Sequence, residues 1–198
     1  MTAEHRDAGE FGTWLAQLHS ALRERRGMDV PCGDCNACCR SSFFIHIGEG
    51  EAARAAIPAE LLFAAPHQPQ QLIIGFDEHG RCPMLKPSGC DIYAVRPLTC
   101  QQYDCRIFPA TGIFPSAATE QAIATRARHW RFSYANPEAH AAHAALLATG
   151  GWLMEHREAL QPAISDVQLA LLTVRGHRAV TIGHDLESYQ RLWAQGSD

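Results

Sequence analysis

Apolar residues recur at helical spacing near both ends of the chain. Over residues 11–22 they fall every three or four positions, which predicts an amphipathic helix that ends at Gly27. Asn136 followed by proline is typical of a helix start, and an alanine-rich helix is expected over residues 137–150. Asp185 is predicted to cap a last helix.

Between these helices the pattern changes to short apolar runs separated by turn residues. Residues 43–47 and 72–76 favour β-structure and predict two short strands. Residues 77–80 form a turn signal, after which a hairpin is expected to deliver Cys82. Residues 90–96 are expected to form one or two helical turns. The combination predicts an α+β fold.

The length of the chain sets its organisation. A chain of 198 residues can bury most of its apolar surface without covalent staples. We predict a single domain over residues 1–198. Within it, a cysteine-cluster region at residues 30–105 packs against a mainly helical scaffold at residues 110–198, which holds no cysteine.

Charge and hydropathy narrow the class of protein. The formal net charge of −4 argues against nucleic acid as the main partner. Residues 1–10 are rich in charge, so no signal or transit peptide is visible, and no apolar run approaches the roughly 18 residues of a membrane-spanning helix. We therefore expect a cytoplasmic protein with no membrane contact. Thiols stay reduced in that compartment, so clustered cysteines bind metal more often than they form disulfides.

The cysteines are the candidate metal ligands. They are Cys32, Cys35, Cys38, Cys39, Cys82, Cys90, Cys100 and Cys105. Four fall within a run of eight residues, where Cys-x2-Cys steps allow successive sulfurs to turn toward one point. Soft thiolates suit zinc, copper(I) and iron–sulfur clusters, and no hard-oxygen calcium or magnesium loop is present. The cysteine-rich half is therefore predicted to be cross-linked by bound metal.

Two groupings of the eight sulfurs remain open. In one, the Cys-x2-Cys-x2-Cys run holds three corners of a 4Fe–4S cluster, and Cys82, which precedes proline, supplies the fourth. In the other, the eight sulfurs make two tetrahedral four-sulfur zinc sites. In both, the remaining set is Cys39, Cys90, Cys100 and Cys105. Because adjacent side chains diverge, one of Cys38 and Cys39 is expected to serve another metal or to be a buried thiol.

Three motifs of unusual spacing lie in order along residues 30–105. They are Cys32-x2-Cys35-x2-Cys38-Cys39, Cys82-Pro83-x-Leu85 and Cys90-x-Ile92-Tyr93-x2-Arg96-Pro97-x2-Cys100. Together they resemble the CxxCxxCC, or YkgJ-like, cysteine-cluster family, which is described as a zinc- or iron-chelating domain. The resemblance implies that the seven cysteines of these motifs bind metal, whereas Cys105 lies outside the matched part.

The resemblance leaves more than one function open. It implies a metal-binding protein that holds zinc or iron, and a protein partner is an open alternative. The cysteine pattern is also similar to that of flagellin lysine N-methylases, which implies a link to iron–sulfur chemistry and S-adenosylmethionine. An iron–sulfur-dependent enzyme related to those methylases is therefore one alternative, and a thiol-redox protein is another. The chain shows no Gly-x-Gly-x-x-Gly nucleotide loop, and whether it is an enzyme stays open.

Overall fold

The computed structural model describes residues 5–66, 68–160, 163–179 and 185–195. Its helices and short strands form an α+β protein, as the sequence predicts. Contacts divide the chain into two compact units. The helical unit comprises Met1–Ser20, Cys105–Ser116 and Ala124–Asp198, and the cysteine unit comprises Ala21–Asp104 and Ala117–Ile123. Within the described residues, no helix combines the length and the apolar character needed to cross a lipid bilayer.

The secondary structure alternates short strands with helices. The strands are β1 Arg6–Glu10, β2 Ile45–Ile47, β3 Leu62–Ala65, β4 Gln68–Ile74, β5 Leu85–Lys86, β6 Gly89–Cys90 and β7 Trp130–Ser133. The α-helices are α1 Phe11–Glu24, α2 Ala53–Ala56, α3 Leu98–Gln102, α4 Ile107–Thr111, α5 Gln121–Ala127, α6 Pro137–Glu155, α7 Arg157–Leu160, α8 Asp166–Ala179 and α9 Leu186–Gln195. Short 3-10 helices cover Cys38–Arg40, Ala59–Leu61, Tyr93–Val95 and Ala118–Glu120.

In the helical unit, β1 pairs in parallel with β7. The sequence of β1 carries no strand periodicity, and sequence reasoning missed it. Phe11 and Trp14 of α1 are buried, and their ring centroids lie 5.3 and 4.9 Å from that of Phe132 in β7. The start of the apolar stripe predicted from residues 11–22 therefore packs against β7, the partner strand of β1.

The predicted end of α1 at Gly27 is wrong by three residues. The helix ends at Glu24, and Arg25 adopts the left-handed conformation that was expected of the glycine, with φ of 50°. Gly27 has a different role, because a Cβ atom there would lie only 2.9 Å from Cβ of Gln101. The glycine therefore allows the chain to pass close to α3.

Two predicted helix starts are confirmed by their capping hydrogen bonds. Oδ1 of Asn136 accepts the backbone N–H of Ala139 at 2.8 Å, at the start of α6. The carboxylate of Asp185 accepts the N–H groups of Glu187 and Ser188 at 3.2 Å, at the start of α9. Both side chains satisfy N–H groups that have no partner within the helix.

The predicted end of α6 near the glycine pair is wrong. The helix continues through Gly150 to Glu155. A Cβ atom at Gly150 would lie 2.0 Å from the carbonyl oxygen of Thr111, the last residue of α4. The glycine is therefore required by the close packing of α6 on the backbone of α4, and it does not terminate the helix.

The cysteine unit contains a three-stranded antiparallel sheet of order β2-β4-β3. Ile45 and Leu62 both lie opposite Ile74 in the central strand. The buried core beneath this sheet consists of Ile47, Ala53, Ile57, Ile74, Met84 and Ile92, and Cys82 and Cys90 pack against it. Two of the candidate ligands are therefore anchored on the apolar core of their unit.

The turn over residues 77–80 is confirmed, but the hairpin predicted after it is wrong. The N–H of Gly80 donates to the carbonyl of Asp77 at 2.9 Å. The returning chain then pairs with the cysteine run, since the N–H of Ser42 donates to the carbonyl of Gly80 at 3.0 Å. The carbonyl of Arg81 accepts the N–H of Asp77 at 2.8 Å and closes the turn, but the chain then pairs with a loop some forty residues earlier and not with β4.

Candidate metal centre

The first two cysteines lie in a tight turn. The N–H of Cys35 donates to the carbonyl of Cys32 at 3.1 Å, and Gly33 between them has a φ of 58°. That left-handed conformation suits glycine, which has no Cβ atom to clash with the following carbonyl. Cys38 begins the next 3-10 helix, which also contains Cys39. All four side chains of the run are half-buried.

A backbone hydrogen bond joins the cysteine run to the second cysteine segment. The N–H of Cys82 donates to the carbonyl oxygen of Cys39 at 2.8 Å. Three residues further on, the N–H of Leu85 donates back to the carbonyl of Cys82 at 2.9 Å, which closes a turn that leads into β5. Cys39 and Cys82 are therefore neighbours although 43 positions separate them.

The third and fourth segments carry Cys90 and Cys100. Cys90 belongs to β6 and lies opposite Leu85 in the two-stranded β5–β6 ribbon. Of the helical turns predicted over residues 90–96, the structure contains one 3-10 turn, Tyr93–Val95. Cys100 lies in α3, where its N–H donates to the carbonyl of Pro97 at 2.9 Å.

Burial governs the ionisation of Cys39. It raises the pKa of the thiol to about 12, and negative charge on neighbouring thiolates opposes ionisation further. Those neighbours, in order of decreasing effect, are Cys82, Cys90, Cys35 and Cys32. The Cys39 thiol therefore lies within electrostatic reach of four other sulfurs.

The same pattern holds at Cys100. Burial raises the pKa of its thiol to about 12, and the charges of neighbouring thiolates add to the effect. These neighbours are Cys39, Cys82 and Cys90. The guanidinium of Arg96 acts in the opposite direction and lowers the pKa of Cys100. A cation is thus already placed where negative charge on this sulfur would be stabilised.

Burial also raises the pKa of Cys82. A hydrogen bond from the backbone N–H of Met84 to the Cys82 sulfur lowers it in part, whereas the charges of Cys90 and Asp77 raise it. With the interactions of Cys39 and Cys100, every pair among Cys39, Cys82, Cys90 and Cys100 is electrostatically coupled. We refer to these four side chains as the thiol tetrad.

The chemistry of the tetrad fits a soft metal ion. None of the eight cysteines, all within the described residues, forms a disulfide. As they stand, the described His, Cys, Asp and Glu side chains form no group of three or more that could hold a metal ion. Binding would therefore require the thiols to lose their protons and turn toward a common point. Four thiolates would satisfy zinc or iron in tetrahedral coordination.

The other predicted ligands fall into two classes. Cys32 and Cys35 are electrostatic neighbours of Cys39, and Cys38 precedes it in the same 3-10 helix. Cys105 belongs to the helical unit, where its buried Sγ accepts the indole N–H of Trp130 at 3.1 Å. Seven of the predicted ligands thus lie within the cysteine unit, and Cys105 has a local partner in the other unit.

Sequence reasoning missed Glu51, which contacts the helix that carries Cys100. Its carboxylate accepts the N–H of Leu98, the first residue of α3, at 2.7 Å. The two residues are 47 positions apart, and no local pattern joins them. The one available signal is that α3 begins after proline with no capping side chain of its own.

Comparison with known proteins agrees with the chemistry of these side chains. The model of a protein family described as "Putative zinc- or iron-chelating domain" matches residues 31–129, which is half of the chain. The match begins at the cysteine run and includes all eight cysteines, from Cys32 to Cys105. No curated protein and no solved structure matches the chain.

Proposed function

The chain belongs to the CxxCxxCC family of zinc- or iron-chelating domains, and we propose that it binds one zinc or iron ion through the thiol tetrad. Metal binding is the property that the family description gives to this domain. The ligands of this site are the sulfurs of Cys39, Cys82, Cys90 and Cys100, and Cys105 lies outside it.

The observation that carries the proposal is that the segments of the tetrad lie close together. The N–H of Cys82 donates to the carbonyl of Cys39, and Cys82 and Cys90 pack against the same buried core. In every pair of these four thiols, negative charge on one sulfur raises the pKa of the other in at least one direction. The four come from four separate segments, namely a 3-10 helix, a turn, β6 and α3. Segments that converge in this way from distant positions are typical of a structural metal site.

Two groups of the protein itself support thiolates in the tetrad. The backbone N–H of Met84 donates to the Cys82 sulfur, and Arg96 lowers the pKa of Cys100. A divalent ion with four thiolates carries a net charge of about −2, which requires nearby donors or cations when the site is half-buried. Arg96 is held in place by its own contacts, with its guanidinium carbon 4.1 Å from the Tyr93 ring centroid.

The proposal favours a single ion over a 4Fe–4S cluster built on the first three cysteines and Cys82. The support is the position of Cys82, whose backbone is bonded to Cys39 and whose thiol is coupled to Cys90. Bound metal would supply coordination bonds that cross-link the four segments. Because metal-binding free energy is folding free energy in such sites, its main effect would be to stabilise the cysteine unit.

Metal analysis of anaerobically purified protein tests this function. We expect close to one zinc or iron per chain in the wild type and its loss in Cys90→Ser and Cys100→Ser. Cys105→Ala is the matched control and should keep the metal. A brown protein with several irons per chain and sulfide would contradict the single-ion site. Absence of metal from the wild type after supply of zinc and of iron would contradict metal binding itself.

A further inference from the structure

A carboxylate outside the thiol tetrad joins two segments of the cysteine unit. Oε1 of Glu51 accepts the N–H of Gly48 at 2.7 Å, and Oε2 accepts the N–H of Leu98 at 2.7 Å. Gly48 directly follows β2, and Leu98 is the first residue of α3. Each oxygen of the carboxylate therefore holds a different segment.

The helix that Glu51 contacts needs such a partner. The first N–H groups of a helix have no acceptor within it, and the N-cap residue of α3 is Pro97, which makes no side-chain capping bond. Glu51 supplies an acceptor from a distant part of the chain. Its negative charge also suits the positive end of a helix, and hydrogen bonds to an ionised acceptor are stronger than neutral ones.

Two further contacts hold the same helix. Oγ1 of Thr99 donates to the carbonyl of His46 in β2 at 2.8 Å. On the other side, the N–H of Met28 donates to the carbonyl of Gln101 at 2.9 Å. Since α3 has only five residues, it is too short to be stable by itself, and these contacts fix its position. Cys100 lies between Thr99 and Gln101 and is fixed with them.

We propose that Glu51 is a positioning residue of the metal centre, whose carboxylate holds α3 so that the Cys100 sulfur can join the other three. The inference rests on the proposed function, because it assumes that Cys100 is a ligand. Both oxygens of Glu51 are used by backbone N–H groups, so it acts through α3 and is not itself assigned as a ligand. Outer residues that orient ligands in this way contribute strongly to metal affinity.

Zinc affinity, measured by competition with a chromophoric chelator, tests the inference. Glu51→Ala should lower the affinity by about tenfold to a hundredfold, the range typical of lost supporting contacts. The zinc affinity of Glu51→Gln should lie between those of Glu51→Ala and the wild type, because an amide offers one acceptor oxygen in place of two. Glu49→Ala is the matched control, since Glu49 is exposed in the same loop, and it should bind zinc like the wild type.

A second measurement separates positioning from a general loss of stability. The ligand-field spectrum of the cobalt(II)-loaded protein reports the geometry of the four sulfurs, and it should change in Glu51→Ala and not in Glu49→Ala. Wild-type zinc affinity or an unchanged cobalt spectrum in Glu51→Ala would overturn the inference. If Glu51→Ala does not fold, wild-type affinity in Glu51→Gln overturns it instead. Failure of the wild type to bind zinc, iron or cobalt would be the separate failure of the proposed function, and this inference would fall with it.

Discussion

The indole N–H of Trp130 donates to the Sγ atom of Cys105 at 3.1 Å, and both side chains are buried in the helical unit. This bond gives Cys105 a structural role that its position in the sequence did not suggest. We therefore expect Cys105→Ala to keep its metal but to unfold more easily. Loss of the acceptor should lower the free energy of unfolding by about 1–3 kcal/mol, the cost of leaving a buried donor unsatisfied.

Chemical denaturation with parallel metal analysis checks this prediction. Cys105→Ser is the companion variant, because a serine hydroxyl can accept a hydrogen bond and should recover part of the lost stability. Loss of metal from Cys105→Ala, with no change in the denaturation midpoint, would contradict the structural role and return Cys105 to the ligand set.

The doubled cysteine gives a second prediction. Cys39 is a member of the thiol tetrad, whereas Cys38 is its immediate neighbour in the 3-10 helix and lies outside the tetrad. Adjacent side chains diverge, so they are not expected to serve one tetrahedral ion together. Cys39→Ser should therefore lose most of the bound metal, and Cys38→Ser should keep it. The two variants differ by one position and form a matched pair. Equal metal content in both would contradict the assignment of Cys39 as the ligand.

How far the site could be predicted from sequence depends on the range of the contacts. The spacing of the cysteines predicted thiolate ligands, because thiolates have well-defined metal chemistry. It did not give the grouping. The proline after Cys82 favoured this residue as the fourth ligand of the first three cysteines, whereas the backbone bond between Cys82 and Cys39 brings it beside the last cysteine of the run. That bond joins distant segments and leaves no local signal.

The fold shows the same division between local and distant interactions. The starts of α6 and α9 were predictable because Asn136 and Asp185 bond to N–H groups within three residues of themselves. The ends of α1 and α6 were not. Gly27 and Gly150 read as helix terminators, yet each allows close passage of another segment, at Gln101 and Thr111 respectively. A glycine kept for packing and a glycine kept for a turn look alike in sequence.

Metal removal gives a third prediction. If bound metal cross-links four segments of the cysteine unit, a strong chelator should lower the melting temperature of the wild type. Restoring zinc or iron to the chelated protein should reverse the change. The Cys100→Ser variant provides the control, because a protein that has already lost the site should melt at the same temperature with and without chelator. If the chelator removes the metal and the melting temperature of the wild type does not change, a stabilising role of the metal is contradicted.

A buried carboxylate in the helical unit determines how its stability responds to acid. Asp166 accepts hydrogen bonds from the N–H and hydroxyl of Ser116 at 2.8 and 2.7 Å and from Arg157 at 2.6 Å. Burial would raise the pKa of Asp166, but these hydrogen bonds and the charge of Arg157 outweigh it, and the pKa is lowered. The ionised form is therefore favoured by folding.

The lowered pKa of Asp166 predicts the direction of the acid response. Its contribution to stability is complete above the pKa of the unfolded chain, about 3.9, and is lost as pH falls through the lower pKa of the folded state. Asp166→Asn should cost about 1–3 kcal/mol of unfolding free energy at neutral pH, and the gap to the wild type should shrink below about pH 4. Urea denaturation at several pH values measures both the cost of the substitution and its change with pH.

Glu158→Gln, which removes an exposed carboxylate from the neighbouring α7, is the control. Its free energy of unfolding should change with pH in the same way as that of the wild type. A gap between Asp166→Asn and the wild type that stays constant from pH 7 to pH 2 would show that the ionised carboxylate is not what stabilises this contact.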